Sequence, residues 1–324
     1  MRRLRARRAL AVAVLLVGAF GVTRAAADSL QVNRLAGQDR YETAAKVSQL
    51  FAPGREVYIA TGENFPDSLS AGPAIGLFQV SILLVTKDTI PDVTRTELQR
   101  LQPQRITVVG GPSVISDGVL ADLQKYGPVI RVAGGDRYAT SIAVSQDAYK
   151  PGVEGLLIAT GRDFPDALLA GAAGALVEWP LLLIDGQSPL RSDTIAEIQR
   201  LQPKFILVSG DFNAVSLDVQ KQLAQFAPVG RAGENAYNRG ALFWSQVPTD
   251  AGDVVLVTGA NFPDGLAAAA FAGQAPGRLT YLVPPNCIPP AVANEIGRLH
   301  PAHITLIGGP VALNTDVEHL VRCP

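Results

Sequence analysis

The stretch "RLAGQDRYETA" fills residues 34–44, returns as "RVAGGDRYATS" at 131–141, and returns again in degraded form as "RAGENAYNRG" at 231–240. Two more phrases travel with it. "ATGENFPDSL" (60–69) recurs as "ATGRDFPDAL" (159–168) and "VTGANFPDGL" (257–266). "RLQPQRITVVGGP" (100–112) recurs as "RLQPKFILVSGDF" (200–212) and "RLHPAHITLIGGP" (298–310). The glycine of the Thr-Gly element moves from Gly62 to Gly161 to Gly259, steps of 99 and 98 residues. That period is too long for a solenoid and is the size of a small domain. The chain is therefore read as three tandem copies, residues 28–127, 128–227 and 228–324. No Ser-, Gly- or Pro-rich linker separates them, so the copies are expected to pack together.

Each copy alternates strand and helix. In the first, "RLAG" reads as a short strand, and Asp39 as the cap of a helix reaching about Phe51. "VYIAT" (57–61) is an apolar strand, and "FPDSLSAGPAIGLF" (65–78) a helix with Pro66 in its first turn. "ILLVT" (82–86) and "ITVVG" (106–110) are buried strands on either side of a helix from Pro91 to Leu101, and a short helix follows near 116–125. Apolar strands alternating with helices predict a parallel sheet covered on both faces. Right-handed crossovers then give a three-layer, Rossmann-like αβα domain. The second helix carries a small face in every copy: Ser68, Ala71 and Gly72; Ala167, Ala170 and Gly171; Gly265, Ala268 and Ala269. Such a stripe fits close packing on the helix's own sheet, or contact between copies around a central axis.

Residues 1–27 read as a cleavable export signal, with five arginines among the first eight residues, an apolar run from Ala9 to Val22, and "TRAAADS" as the cleavage region. The apolar run is shorter than the ~20 residues of a membrane span, and no other membrane segment is expected. Without this leader the chain keeps 22 basic against 29 acidic residues, a formal charge of −7. That argues against a broad nucleic-acid surface, and any anionic partner must be held by a local cluster. In an exported chain, Cys287 and Cys323 are expected to be bridged.

Ligands of open α/β sheets gather beyond the carboxyl ends of the strands. The recurring polar residues fall there: Asp39, Arg40 and Tyr41 with Asp136, Arg137 and Tyr138; Asn64; and the F-P-D carboxylates Asp67, Asp166 and Asp264. The F-P-D carboxylates also suit the first turn of a helix, where they complement its dipole. The arginines suit bidentate contact with phosphate or carboxylate, or an ion pair between copies. The third copy reads Asn235-Ala236-Tyr237, without the arginine, which marks its interface or site as different. No nucleotide-binding glycine motif, nucleophile elbow or metal-ligand spacing is present, and the histidines all lie in the last copy, at 300, 303 and 319. No catalytic residue, cofactor or metal is expected.

These phrases together resemble the cell wall-binding repeat 2 family of Gram-positive bacteria. The resemblance rests on "RLAGQDRYETA", "ATGENFPDSLSAG", "ILLV" and "ITVVGG", and covers the chain after the leader. It implies three Rossmann-like domains arranged as a pseudo-threefold trimer within a monomer. It also implies a secreted protein held non-covalently on the cell wall by an anionic secondary polymer. By the same resemblance, Asp39, Arg40, Asp136 and Arg137 carry the binding, and the Cys287–Cys323 pair resembles a bridge in actinobacterial relatives. Cys287 follows a strand while Cys323 follows a helix running the other way, so the bridge requires that last helix to be short or irregular. The alternatives at this stage are an exported enzyme acting on wall glycan or peptide, and a small-molecule receptor in the crevices between copies.

Overall fold

The "RLAG" strand does not pair within its own copy. In the computed structural model, which describes residues 30–64, 67–233, 236–246 and 252–324, it joins the sheet of the copy before it. The first copy holds β1 (Gln31–Leu35), α1 (Arg40–Ser48), β2 (Glu56–Thr61), α2 (Ala71–Phe78, preceded by a 3₁₀ turn), β3 (Ser81–Val85), α3 (Asp92–Leu101), β4 (Arg105–Val109) and α4 (Asp117–Leu123). The second repeats this as β5 (Val129–Val132), α5 (Arg137–Ala148), β6 (Leu156–Thr160), α6 (Pro165–Val177), β7 (Leu181–Ile184), α7 (Ser192–Leu201), β8 (Ile206–Ser209) and α8 (Leu217–Leu223). The third holds β9 (Val229–Ala232), α9 (Ala236–Gln246), β10 (Asp253–Thr258), α10 (Pro263–Gly273), β11 (Arg278–Val283), α11 (Pro290–Leu299), β12 (His303–Ile307) and α12 (Thr315–Glu318). The expected leader lies outside the described residues.

Three parallel sheets result, in the orders β3-β2-β4-β5, β7-β6-β8-β9 and β11-β10-β12-β1. The sequence repeat and the sheet are thus out of phase by one strand. β5 adds to the sheet of the first copy and β9 to that of the second. β1 closes the ring on β12, with Arg34 opposite Leu306. The central strands are buried along almost their whole length, as expected for a parallel sheet with helices on both faces.

Local chemistry sets the element ends. Asp39 accepts from the Glu42 N–H and Asp136 from the Ala139 N–H, each at 2.8 Å, so the Asp of the opening phrase is a helix cap. In "RLQP", "RLQP" and "RLHP", the residue before proline ends the helix in the left-handed region: Gln102, Gln202 and His300 have φ of 44°, 50° and 47°. The proline that follows cannot continue the helix.

The small-faced helices meet one another rather than serving only their own sheets. α2, α6 and α10 pack together at the centre, and one apolar core runs through all three copies. A Cβ on Gly72 would lie 2.8 Å from the Gly171 carbonyl oxygen, and one on Gly76 2.1 Å from that of Ala175. One on Gly273 would lie 2.5 Å from the Gly76 Cα. The fold is therefore three Rossmann-like αβα units in a pseudo-threefold trimer, and the axis is where side chains have been removed.

Cys287 and Cys323 are bridged. The condition set by the sequence is met because α12 spans only Thr315–Glu318. The chain then turns back: the Ile288 N–H donates to the Val321 oxygen at 2.8 Å, and the Cys323 N–H to the Ile288 oxygen at 2.9 Å.

Gly76→Val is expected to lower unfolding stability by at least about 2 kcal/mol, because backbone lies where its Cβ would go. Gly111→Ala, with open space around its Cβ, should stay within about 0.5 kcal/mol. Equal denaturant midpoints for the two variants would contradict the packing account. Reducing the disulfide opens a loop of 36 residues and should cost about 3–4 kcal/mol. Urea melts with and without reductant measure it.

Candidate functional site

The sheet order places a topological switch point between the second and fourth strands of each copy, here between β2 and β4. Asp67 follows β2, and Gly110 follows β4. A Cβ on Gly110 would lie 3.2 Å from the Asp67 carboxylate; on Gly210 it would lie 2.7 Å from Asp166, and on Gly308 2.7 Å from Asp264. These glycines have φ of 114°, 135° and 127°. Both backbone conformation and the nearby carboxylate therefore demand glycine. The F-P-D carboxylate of each copy is packed under the glycine turn of the same copy.

The next copy completes each site. Its first strand lies alongside the fourth, and an arginine on that strand clamps the glycine turn. Arg131 donates to the Gly110 oxygen at 2.7 Å, Arg231 to that of Gly210 at 2.7 Å, and Arg34 to that of Gly308 at 2.8 Å. The helix that follows then delivers the Asp-Arg-Tyr residues to the carboxyl edge. The tyrosine lies over the Thr-Gly turn of its own copy: Cβ atoms on Gly62, Gly161 and Gly259 would come within 2.9, 2.8 and 2.7 Å of Tyr41, Tyr138 and Tyr237. The arginine bridges. Arg40 donates to the Gly62 oxygen and Arg137 to the Gly161 oxygen, each in its own copy. Their charges face the neighbouring copy's carboxylate, Asp264 for Arg40 and Asp67 for Arg137.

Three seams follow, and they differ. The first, between copies one and two, holds a cavity of about 200 Å³ lined by Asn64, Asp67, Ser113, Asp136 and Arg137. Thr140 and the Gly111 N–H hydrogen-bond Asp67, and Arg191 pairs with Asp136 at 2.5 Å. The third, between copies three and one, holds a cavity of about 430 Å³ lined by Asp39, Arg40, Thr43, Asn261 and Asp264, among others. In the second seam the place of Arg137 is taken by Ala236, and a different arginine meets the carboxylate: Arg239 pairs with Asp166, both buried. The cation missing from the degraded phrase has moved three residues along α9, one helical turn. Arg239 stands where Thr140 stands in the second copy, because Tyr237 and Tyr138 occupy equivalent places. The signal was present as an arginine at i+3 from the lost one, on the same helical face.

The expected site residues are thus divided by geometry. Asp67, Asp166 and Asp264 each sit at a seam. Arg40 and Arg137 reach the seams from the adjoining copy. Asp39 and Asp136 cap helices at the cavity rims, and Tyr41 and Tyr138 pack on glycine. Asn64 is exposed at the first seam. The seam residues Thr43, Thr140 and Arg239 and the clamps Arg34, Arg131 and Arg231 were not among those expected.

A family model described as cell wall binding domain 2 matches residues 34–120 and 131–220. The chain belongs to the cell wall binding domain 2 family. The third copy lies outside the matched residues yet has the same fold. The amidase enhancer of Bacillus subtilis (strain 168) is 28% identical over 306 residues, covering 92% of this chain and 41% of that protein. N-acetylmuramoyl-L-alanine amidase LytC of the same organism is 25% identical over 305 residues, covering 94% of this chain and 60% of that protein. The chain therefore spans less than two thirds of the length of either of these relatives. Two solved structures, Cwp8 and Cwp6 from Clostridium difficile, superpose over 90% of the chain with TM-scores of 0.78, at 25% and 21% identity; the match covers 51% and 48% of those chains. No helix among the described residues is long and apolar enough to cross a membrane.

Burial pushes the carboxyl of Asp264 up to about 6, opposed in part by Arg40. Burial also displaces Asp67 upward, against the Thr140 and Gly111 hydrogen bonds. A carboxyl raised in the folded state contributes its full stability below its unfolded value, and that contribution is lost as pH rises through the folded value. For this wall-binding domain, then, wild type should lose up to about 3 kcal/mol relative to Asp264→Asn between pH 4 and 7. Denaturant melts of both proteins across that range check it, and parallel profiles would remove the assigned burial.

Proposed function

We propose that this chain is a non-catalytic module that binds the bacterial cell wall from outside the cell. It grips an anionic secondary wall polymer without a covalent bond, through the seams between its copies. The observation that carries this reading is the placement of Arg40 and Arg137. Each guanidinium is anchored to a carbonyl of its own copy and held at the edge of a cavity shared with the copy before it in the ring. An arginine fixed in this way presents oriented donors to phosphate or carboxylate before the ligand arrives. Several such contacts on one repeating polymer add avidity by raising effective concentration. Membership of a cell wall binding family supports the partner class, and the leader read in residues 1–27 supports export. A non-catalytic role is favoured because the recurring polar residues are spent on caps, clamps and ion pairs. Among the described residues no group of three His, Cys, Asp or Glu side chains could hold a metal ion.

The test is sedimentation with purified, protein-free envelope. Wild type should co-sediment, and the double variant Arg40→Ala, Arg137→Ala should do so about tenfold more weakly, having lost two charge-assisted contacts. Equal sedimentation would remove the arginine assignment. A wild type that stays in solution would remove wall binding itself.

A further inference from the structure

The seams share a carboxylate, a glycine turn and a clamp, but not the state of their cation. Arg239 in the second seam is 3% exposed and is paired with Asp166, which is 8% exposed. An anion arriving there would have to break a buried pair and leave a carboxylate uncompensated. The second seam also carries Asp211 where the first and third have Gly111 and Gly309, adding negative charge at the turn. Its aligned equivalent of Arg40 and Arg137 is Ala236, which carries no charge.

The other two seams are built differently. Arg40 and Arg137 are partly exposed, and each lines a cavity. In the third seam the charged side chains lining the cavity are Asp39, Arg40 and Asp264; in the first they are Asp67, Asp136 and Arg137. Asp39 and Asp136 are occupied by the N–H groups of their own helices, and Asp136 also by Arg191. Burial holds the carboxyls of Asp67 and Asp264 above their ordinary value, against the pull of Arg137 and Arg40.

Resting on the wall-binding reading above, we infer that the chain seats acidic groups at two seams only. One oxyanion, phosphate or uronic carboxylate, binds at Arg137 and one at Arg40, and Arg239 closes the second seam from within. Three sequence copies thus yield two binding positions, and the degraded phrase marks the closed one.

The test uses the intact wild-type chain and follows the Nε–Hε resonances of its arginines, assigned with single Arg→Lys variants. One titration uses inorganic phosphate and the other glucuronate. Arg40 and Arg137 should shift saturably in at least one titration, and the one that works names the acidic group. Arg239 should hold its position in both. A saturable shift at Arg239, or silence in both titrations at either Arg40 or Arg137, overturns the inference. If Arg40 and Arg137 respond while wild type fails to sediment with envelope, wall binding falls and the seam assignment stands.

Discussion

The architecture depends on how closely three helices can approach. At the axis, α2, α6 and α10 come so near that a single methylene at Gly76 would enter the backbone of a neighbour. Apolar burial alone would be satisfied by larger side chains at wider spacing. The choice of glycine and alanine instead sets the distance between copies, and with it the width of the seams. Ala172, Ala175 and Ala269 form a small buried cluster of their own at this junction. The specificity of the trimeric arrangement therefore lies in what the helices lack.

The seams are a consequence of that spacing together with the shared strands. Because each copy lends its first strand to the sheet of its predecessor, the helix after that strand starts at the predecessor's carboxyl edge. The first residue of that helix, Arg40 or Arg137, then lies at the adjoining copy's switch point without any long excursion. The arginine clamps at 34, 131 and 231 hold the glycine turns in place from the same strand. The motif that looks like a binding signature in sequence is thus partly the joinery of the ring: the aspartate caps, the tyrosine fills, and the arginine reaches the seam cavity.

The alternation of strands and helices, the period near 100 and the helix end at Leu101 were all legible, because each is written in local chemistry. The axis was half legible. The small face was visible in Ser68, Ala71 and Gly72 and their counterparts, but spacing cannot say whether a helix packs on its sheet or on another helix. The strand exchange was not legible, since a strand pairs equally well with either neighbour until the axis fixes where the copies stand. At the seams, Asp67, Asp166 and Asp264 could be read as first-turn carboxylates or as binding residues, but not as groups packed under a glycine turn. Their burial under Gly110, Gly210 and Gly308 depends on contacts more than forty residues away. Arg239 escaped because comparison by aligned position sees a lost arginine, whereas a helix presents residues three apart to the same space. The loop before it is also shorter: Arg231 and Tyr237 are six residues apart, against seven for Arg131 and Tyr138.

The ring closes through β1, and that has a temporal meaning. Synthesis delivers Gln31–Leu35 ahead of the other strands of the ring, yet their partner β12 lies some 270 residues later. The first and second sheets can each assemble once the next copy's opening strand emerges. The sheet of the third copy takes its outer strand from the first copy instead, so β1 must come back to it. Contacts of such sequence separation are slow to form. Until then β12 offers an unpaired edge, where a β1 from another molecule could add equally well. Crowded nascent chains are thus open to strand exchange at the third repeat.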